Sequence, residues 1–417
     1  MKIIGIVSEY NPFHNGHAYQ VRKSIQDLGA DGVVAIMSGN FVQRGYPALF
    51  DKWLRAEMAV KAGVNLVIEL PTYYATSSAE SFARGAIELL NAMGVITHLS
   101  FGSELDNLEL LDRLASTLIN PSSDFNENLS ASLKLGDSYP VARSKALHKT
   151  LPNLHQEIDL NQSNVILGIE YLKALKQLDS KIIPFLVKRI GKNYNDTSLD
   201  SEYVSATAIR KAFFETKIST DRQSMSDQES VLNLKQFIPE AVVETIEQTK
   251  YSASQMDDFT EMLLYAIRSA SPYELSQIRE VGEGLENKLF KAGMSELTYP
   301  GIVQAIKSKR YTMTRINRIL LNTILNIKNE KFTLENHGYF RVLAFDSTGQ
   351  KIIREIKKVG YHPIITNINK HTDLLKSNSM LQLDVKATNI YHLVQQNNQH
   401  RLGGRDFLQM PYKHDTI

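Results

Sequence analysis

The sequence predicts an α/β protein: a doubly wound parallel sheet in its N-terminal part, then a mostly helical C-terminal part holding one small β-hairpin. Two observations carry this. Over roughly the first half, short apolar runs of strand length alternate with segments of helical spacing, the pattern of a parallel sheet with crossover helices. Beyond Val231 the helical period prevails, and a single pair of apolar runs flanks a turn-type tetrapeptide.

The elements follow in order. Lys2–Ser8 is a short apolar strand, and His17–Leu28 has the spacing of an amphipathic helix. Gly32–Met37 is a second buried strand. Asp51 can cap a helix over Lys52–Ala62 that ends at Gly63. Val64–Leu70 is a third strand, closed by Pro71. Ser77 and Glu80 form a capping-box pattern before a helix running to Met93, with Gly94 as its C-cap. Val95–Phe101 is a fourth strand. Residues 103–180 are mainly helical, with a loop around Asn120–Asn126, and Lys181–Lys188 is a fifth strand. A polar loop over Gly191–Ser201 precedes a helix that Ser205 opens. Thr220–Ser230 has the composition of a linker. Tyr339–Phe345 and Lys351–Ile356, joined by Asp346-Ser347-Thr348-Gly349, form the expected hairpin. Domains are therefore expected over residues 1–218 and 219–417.

Composition removes several function classes. The 417 residues include no cysteine, which excludes disulfides, thiolate zinc sites, iron–sulfur clusters and cysteine nucleophiles. The N-terminus has no signal-peptide pattern and no apolar stretch spans a bilayer, so a cytoplasmic protein is expected. The net charge of +2 conceals an asymmetry. From Gly301 to Ile417 there are 18 Lys/Arg and 8 Asp/Glu, a net of +10, which leaves −8 for the first 300 residues. A basic C-terminal part suits a polyanionic partner, although a basic surface without a partner has the same composition.

In a doubly wound sheet, ligands bind where the strands end. The loop after the first strand carries His14-x-Gly16-His17. Gly16 leaves room for a nucleotide, and the helix that follows points free amides and a positive dipole at the same place. Two imidazoles there can donate to phosphate oxygens and stabilise charge building on an α-phosphorus. The alternatives are histidines that merely cap the helix or sit on the surface, or a metal site. No metal is expected, with neither cysteine nor an HExxH pattern at hand. Ser205-Ala206-Thr207-Ala208-Ile209-Arg210 opens a later helix. Ser205 and Thr207 supply hydroxyls, and Arg210 supplies a planar fork for a phosphate; a capped helix with a surface arginine is the competing reading.

Together these segments resemble the nucleotidylyltransferase superfamily, whose (H/T)xGH and ISSTxxR-type motifs bracket ATP; Val204 and Ala206 depart slightly from the second. The longer runs IVSEYNPFHNGHAY, MSGNFVQRGYPALFDKWLRAEMA, LPTYYATSSAESFARGAI, SFGSE, NVILGIEYLKAL and VKRIG resemble the bacterial tRNA(Met) cytidine acetate ligase family. The resemblance is close over about the first 215 residues and looser beyond. It implies a HUP-type nucleotidylyltransferase-like domain and an enzyme that uses ATP to activate acetate as acetyl-adenylate. The acetyl group then passes to the wobble cytidine of elongator tRNA(Met), giving N4-acetylcytidine. Mg2+ would travel with ATP.

The resemblance further implies an ATP segment of Val7, Ser8, Glu9, Tyr10, Asn11, Pro12, Phe13, His14, Asn15, Gly16, His17, Ala18, Tyr19 and Gln20, joined by Gly102, Asn164 and Arg189. His14, His17, Ser205, Thr207 and Arg210 would be catalytic. From charge and aromatic content, tRNA contacts are expected at Lys307, Lys309, Arg310, Tyr311, Arg315 and Arg318, at Lys351, Arg354, Lys357 and Lys358, and around Arg401 and Arg405. Lys52 is either a phosphate or tRNA contact or a surface cation. Tyr73, Tyr74, Thr76 and Ser77 are candidates for an acetate pocket. Two other readings stand beside the ligase: a small-molecule adenylyl- or cytidylyltransferase, and a non-catalytic RNA-binding protein. Neither an obligate protein partner nor membrane attachment is expected.

Overall fold

In the computed structural model, residues 1–151, 158–190, 203–218, 234–249 and 252–415 are described. The polar loop at 191–201 and the linker at 220–230 lie outside them. Among the described residues no helix is long and apolar enough to cross a membrane.

The N-terminal alternation is present as expected. The strands β1 (Ile3–Ser8), β2 (Gly32–Ser38), β5 (Leu66–Leu70), β6 (His98–Ser103) and β7 (Ile183–Lys188) lie parallel in the order β5-β2-β1-β6-β7. A two-residue ribbon, β3 (Phe41–Val42) with β4 (Tyr46–Pro47), projects from the loop after β2. The period of two decides what each residue meets. Val34 and Ile36 enter the core on one face of the sheet, whereas Val33, Ala35 and Met37 enter the core on the other. The order reverses at β1, so β1 and β6 border the switch point, where a crevice opens beyond their carboxyl ends.

The helices around this sheet are α1 (Asn15–Leu28), α2 (Lys52–Lys61), α3 (Thr72–Ala75), α4 (Ala79–Ala92), α5 (Leu108–Ile119), α6 (Ser123–Lys134), α7 (Tyr139–Thr150), α8 (Ser163–Gln177) and α9 (Ala206–Ile218). Two boundaries differ from expectation. The cap of α4 is Ser78, whose side chain accepts from the Ser81 amide, and the presumed loop after Asn120 gives way to α6, capped by Ser122.

The hairpin is corrected. Phe340–Phe345 is a strand, β8, but Ser347–Val359 is a helix. Asp346 caps it: Oδ1 accepts from the Gly349 amide at 2.7 Å, so Asp-Ser-Thr-Gly starts a helix and turns no hairpin. β8 pairs antiparallel with β5, and β9 (Ile364–Ile365) and β10 (Tyr412–Lys413) pair with β8. The chain beyond residue 218 thus supplies strands to the same sheet. The rest of that part is mostly helical, with its own core around Phe259, Leu289, Ile319 and Leu320. Arg279 joins the two parts: it donates to the carbonyls of Tyr73 and Thr76, the hydroxyls of Thr76 and Ser77, and Asn322.

Candidate active site

A cleft of about 470 Å³ opens at the β1/β6 switch point. Its floor is the loop after β1. His14 caps α1, its Nδ1 accepting from the Gly16 amide at 3.1 Å, and His17 Nδ1 accepts from the His14 amide at 3.2 Å. The rings are stacked, with centroids 3.7 Å apart. Capping and ligand binding are therefore not rivals here. A neutral imidazole that accepts at Nδ1 must carry its proton on Nε2. Each ring spends one nitrogen on the backbone and keeps an Nε2–H donor. Burial holds both rings neutral. His17 is pushed down to about 3, chiefly by burial and then by the charge of Arg189. His14 falls well below the usual imidazole range through burial, His17, Arg189 and Arg210. Tyr10 and Phe13 pack against His17, with centroids 5.0 and 5.5 Å away.

Of the predicted ATP segment, Val7, Ser8, Glu9, Tyr10, Asn11, His14, Gly16, His17, Tyr19 and Gln20 line the cleft. The rest serve the scaffold. Phe13 and Ala18 are buried in the core, and Asn15 Nδ2 donates to the Gln236 carbonyl at 3.0 Å. The other predicted contacts converge from separate elements. Gly102, near the end of β6, has Arg189 beside it: an added Cβ would lie 3.3 Å from Arg189 Cγ. Asn164, in the first turn of α8, donates to Glu104 Oε1 at 2.7 Å, and Arg189 Nε lies 3.7 Å from the same oxygen. Glu104 thus orients both groups.

The second motif comes to the same loop. Ser205 Oγ caps α9, accepting from the Ala208 amide at 3.0 Å. Arg210 donates to the Asn11 carbonyl at 2.7 Å and to Thr207 Oγ1 at 3.2 Å. Val204 and Ala206 line the cleft. The two motifs are locked together across almost two hundred residues of sequence.

The far wall holds Arg310, Thr312, Thr314, Arg315 and Arg318, at the start of the helix Met313–Leu325. The basic segment read as a tRNA surface therefore borders the cleft. Its members differ. Arg310 has a side chain 73% exposed. Lys307 and Lys309 are exposed beside it. Arg318 is buried and pairs twice with Glu280 at 2.8 Å. Tyr311 is buried beneath the Arg315 guanidinium, 4.6 Å from its ring, so it is a packing residue and offers no open face to a base. Lys351, Arg354, Lys357 and Lys358 occupy the exposed face of the helix Ser347–Val359. That helix packs against Gly32 and Gly94, at the strand ends opposite the cleft. Arg401 is exposed, while Arg405 donates to Gln409.

One further expectation is corrected. Lys52 is neither a phosphate ligand nor a surface cation. It is fully buried, with Nζ 2.8 Å from Glu69 and 3.0 Å from Asp406. Of the Tyr73–Ser77 segment, Tyr73 and Ser77 line a second hollow beside Arg279, and the hydroxyls of the segment are engaged with carbonyls. Tyr73 and Tyr74 donate to the Glu330 and Phe332 carbonyls, and Thr76 and Ser77 to their own helical turn.

The sequence puts Arg44 in a loop at this sheet edge and Arg55 in the helix that follows, without a role for either; Arg44 reaches across the cleft to Ser163 Oγ at 2.6 Å. Arg55 is fully buried and donates to the carbonyls of Glu9, Ser38, Gly39 and Phe50, fixing the loops after β1 and β2. Gly45 shapes the ribbon beside Arg44. Its φ is +79°, and an added Cβ would lie 2.3 Å from the Arg318 backbone nitrogen, so only glycine fits.

Residues 1–406 match the family model described as HIGH Nucleotidyl Transferase. A curated tRNA(Met) cytidine acetate ligase of Thermoanaerobacter sp. (strain X514) is 40% identical over 412 residues, covering 98% of each chain. The chain belongs to the tRNA(Met) cytidine acetate ligase family. Another member of this ligase family, from Clostridium perfringens (strain ATCC 13124), is 42% identical over 401 residues, covering 94% of this chain and 95% of its own. Among solved structures, apo Thermotoga maritima TmcAL superposes over the whole of both chains with a TM-score of 0.90 and 33% identity. The same protein bound with alpha-thio ATP gives 0.87 and 32% over both whole chains.

Proposed function

We propose that this protein is an ATP-dependent tRNA(Met) cytidine acetate ligase. It activates acetate as acetyl-adenylate and acetylates the N4 amine of the wobble cytidine of elongator tRNA(Met). The observation that carries the reading is that one cleft joins two faces: paired neutral imidazoles at a helix N-terminus, and a cationic wall whose Arg310 reaches solvent. The first suits nucleotide activation and the second an RNA.

An acetate oxygen attacks the α-phosphorus of ATP, the bond to the β-phosphate oxygen breaks, and pyrophosphate leaves with the electron pair. His14 and His17 donate their Nε2–H groups to the α-phosphoryl oxygens as charge builds there. Because both rings stay neutral, they donate without acting as acids. Arg189 supplies positive charge beside them. Ser205, Thr207 and Arg210 hold the phosphate end of the site, Arg210 in part by fixing the Asn11 carbonyl. Gly102 lets the backbone approach the adenosine, and Asn164 contacts it. The cytidine amine then attacks the acetyl carbon, AMP leaves, and the amine loses a proton. The base must leave its stack to reach the cleft. No cysteine exists to carry a thioester.

The acidic side chains Glu80 and Glu170 in the cleft are paired with cations, which leaves Glu9. One carboxylate suits Mg2+ that arrives on the phosphates, not a protein cage. Residues 1–218 carry the activation chemistry, and residues 219–417 present tRNA-binding groups, with Lys307, Lys309, Arg310 and Arg315 nearest the cleft. A tRNA acceptor places the reaction in the cytoplasm.

The test incubates the protein with ATP and radiolabelled acetate, with and without elongator tRNA(Met). Label in the wobble cytidine, with pyrophosphate released in step, is the expected result. Pyrophosphate formed only with some other small acceptor would refute it, in favour of a metabolite nucleotidyltransferase.

A further inference from the structure

One group of cleft side chains has no part in the nucleotide chemistry. Glu170 on α8 lies between two cations: Arg143 Nη1, from α7, donates to its Oε1 at 2.9 Å, and Lys173 Nζ to its Oε2 at 2.7 Å. Lys173 also meets Glu80 of α4 at 2.8 Å. All four line the cleft. Arg143 is 6% exposed and Glu170 5%. A guanidinium has five N–H donors. Among the described residues Glu170 is the one acceptor for Arg143, so the remainder of the fork faces the cleft. A buried cation with most of its donors unspent is costly unless a further acceptor arrives.

The charge count says what that acceptor is. Two cations meet two carboxylates, so the group is neutral as it stands, which suits one small monoanion better than a triphosphate. The polyanion is drawn instead to the amino end of α1 and to Arg189. Beside the cluster the lining turns apolar: Ala79 precedes Glu80, Tyr171 follows Glu170, and the Phe101 ring packs on Tyr171 at 5.9 Å.

We propose that Arg143 binds the carboxylate of the acid substrate, a small aliphatic monocarboxylate whose alkyl group rests on this apolar lining. Glu170 and Lys173 fix the guanidinium. This deepens the ligase reading and rests on it. Arg143 holds one carboxylate oxygen while the other forms the bond to the α-phosphorus, and the pair from the broken phosphorus–oxygen bond leaves with pyrophosphate.

The test measures acetate-dependent pyrophosphate release by the full chain, varying acetate and ATP separately, for Arg143→Gln and Arg143→Lys. The acetate KM should rise about tenfold or more in the glutamine variant and less in the lysine variant, while the ATP KM stays within about twofold, since a charge-assisted bond to acetate alone is lost. An unchanged acetate KM, or an ATP KM that rises equally, overturns the proposal; the second result would make Arg143 a phosphate ligand. Should Arg143→Gln not fold, the unsubstituted protein decides through phenylglyoxal labelling mapped by mass. Acetate should protect Arg143. Protection by pyrophosphate but not by acetate refutes the subsite. If the unsubstituted protein releases no pyrophosphate in response to acetate, the ligase reading itself falls, which is a different failure from an unchanged KM.

Discussion

Replacing His14 by asparagine separates two jobs that one imidazole performs. Its Nδ1 caps α1 by accepting from the Gly16 amide at 3.1 Å, while its Nε2–H is free for the cleft. Asparagine places an acceptor oxygen at the same branch of the side chain and is among the best N-caps, but it has no atom where Nε2 stood. His14→Asn should therefore hold its stability within about 0.5 kcal/mol of the unsubstituted protein, whereas His14→Ala should lose about 1 kcal/mol with the cap. Both should lose one donor to the α-phosphoryl transition state, about 10²- to 10³-fold in adenylate formation. Urea unfolding gives the first quantity, and acetate-dependent pyrophosphate release the second. An asparagine variant that is as active as the original, or as unstable as the alanine variant, would refute the double role.

Three further outcomes are expected. Unfolded imidazoles titrate near 6.5, whereas His17 in the fold is pushed down to about 3, so its contribution to stability is whole above pH ~6.5 and is lost as the pH falls toward 3. By pH 5 His17 alone should remove about 2 kcal/mol, read by urea unfolding at pH 7.5 and pH 5; a His17→Asn variant with the same loss would assign it elsewhere. Lys52→Met keeps the packing but strands the buried Glu69 and Asp406 carboxylates, and should cost about 3–5 kcal/mol in the same unfolding assay; no loss would show that the trio is not paired as charges. Arg310→Glu should weaken tRNA binding and lower the slope of its salt dependence by about one, with adenylate formation unchanged. An unaltered slope would remove Arg310 from the RNA surface.

The N-terminal fold and the first motif were legible because each is written locally. Strand runs, capping residues and His14-x-Gly16-His17 are contiguous, and the helix that the histidines cap begins within the motif itself. What stayed hidden depends on distant partners. Lys52 looks like any helical lysine until Glu69 and Asp406, the latter 354 positions away, close around it. Arg143 and Glu170 sit on different helices and acquire meaning only when α7 and α8 meet. Glu104 stood in a recognised segment, but its role appears only once Asn164 and Arg189 converge on it. The supposed hairpin was a different error. Ile352, Ile353 and Ile356 between charged neighbours have helical spacing, and a strong turn signal at Asp346–Gly349 concealed a helix cap. Tyr311 shows the limit of composition: an aromatic among cations looks like a stacking platform, yet burial and Arg315 have already claimed it.

Arg55 has a consequence for how the cleft accommodates its reactants. By binding carbonyls from the loops after β1 and β2 together with the start of α2, one fully buried guanidinium makes that side a rigid jaw. The helix Met313–Leu325 packs on the ribbon after β2 through Gly45, so any adjustment between a small acid and a bulky nucleic acid falls to the other jaw, where α7 carries the lining. An inhibitor pressed against the rigid jaw meets the same surface at every stage of turnover. One that bridges to the other jaw would instead distinguish the stages, trapping the protein before or after the acceptor has docked.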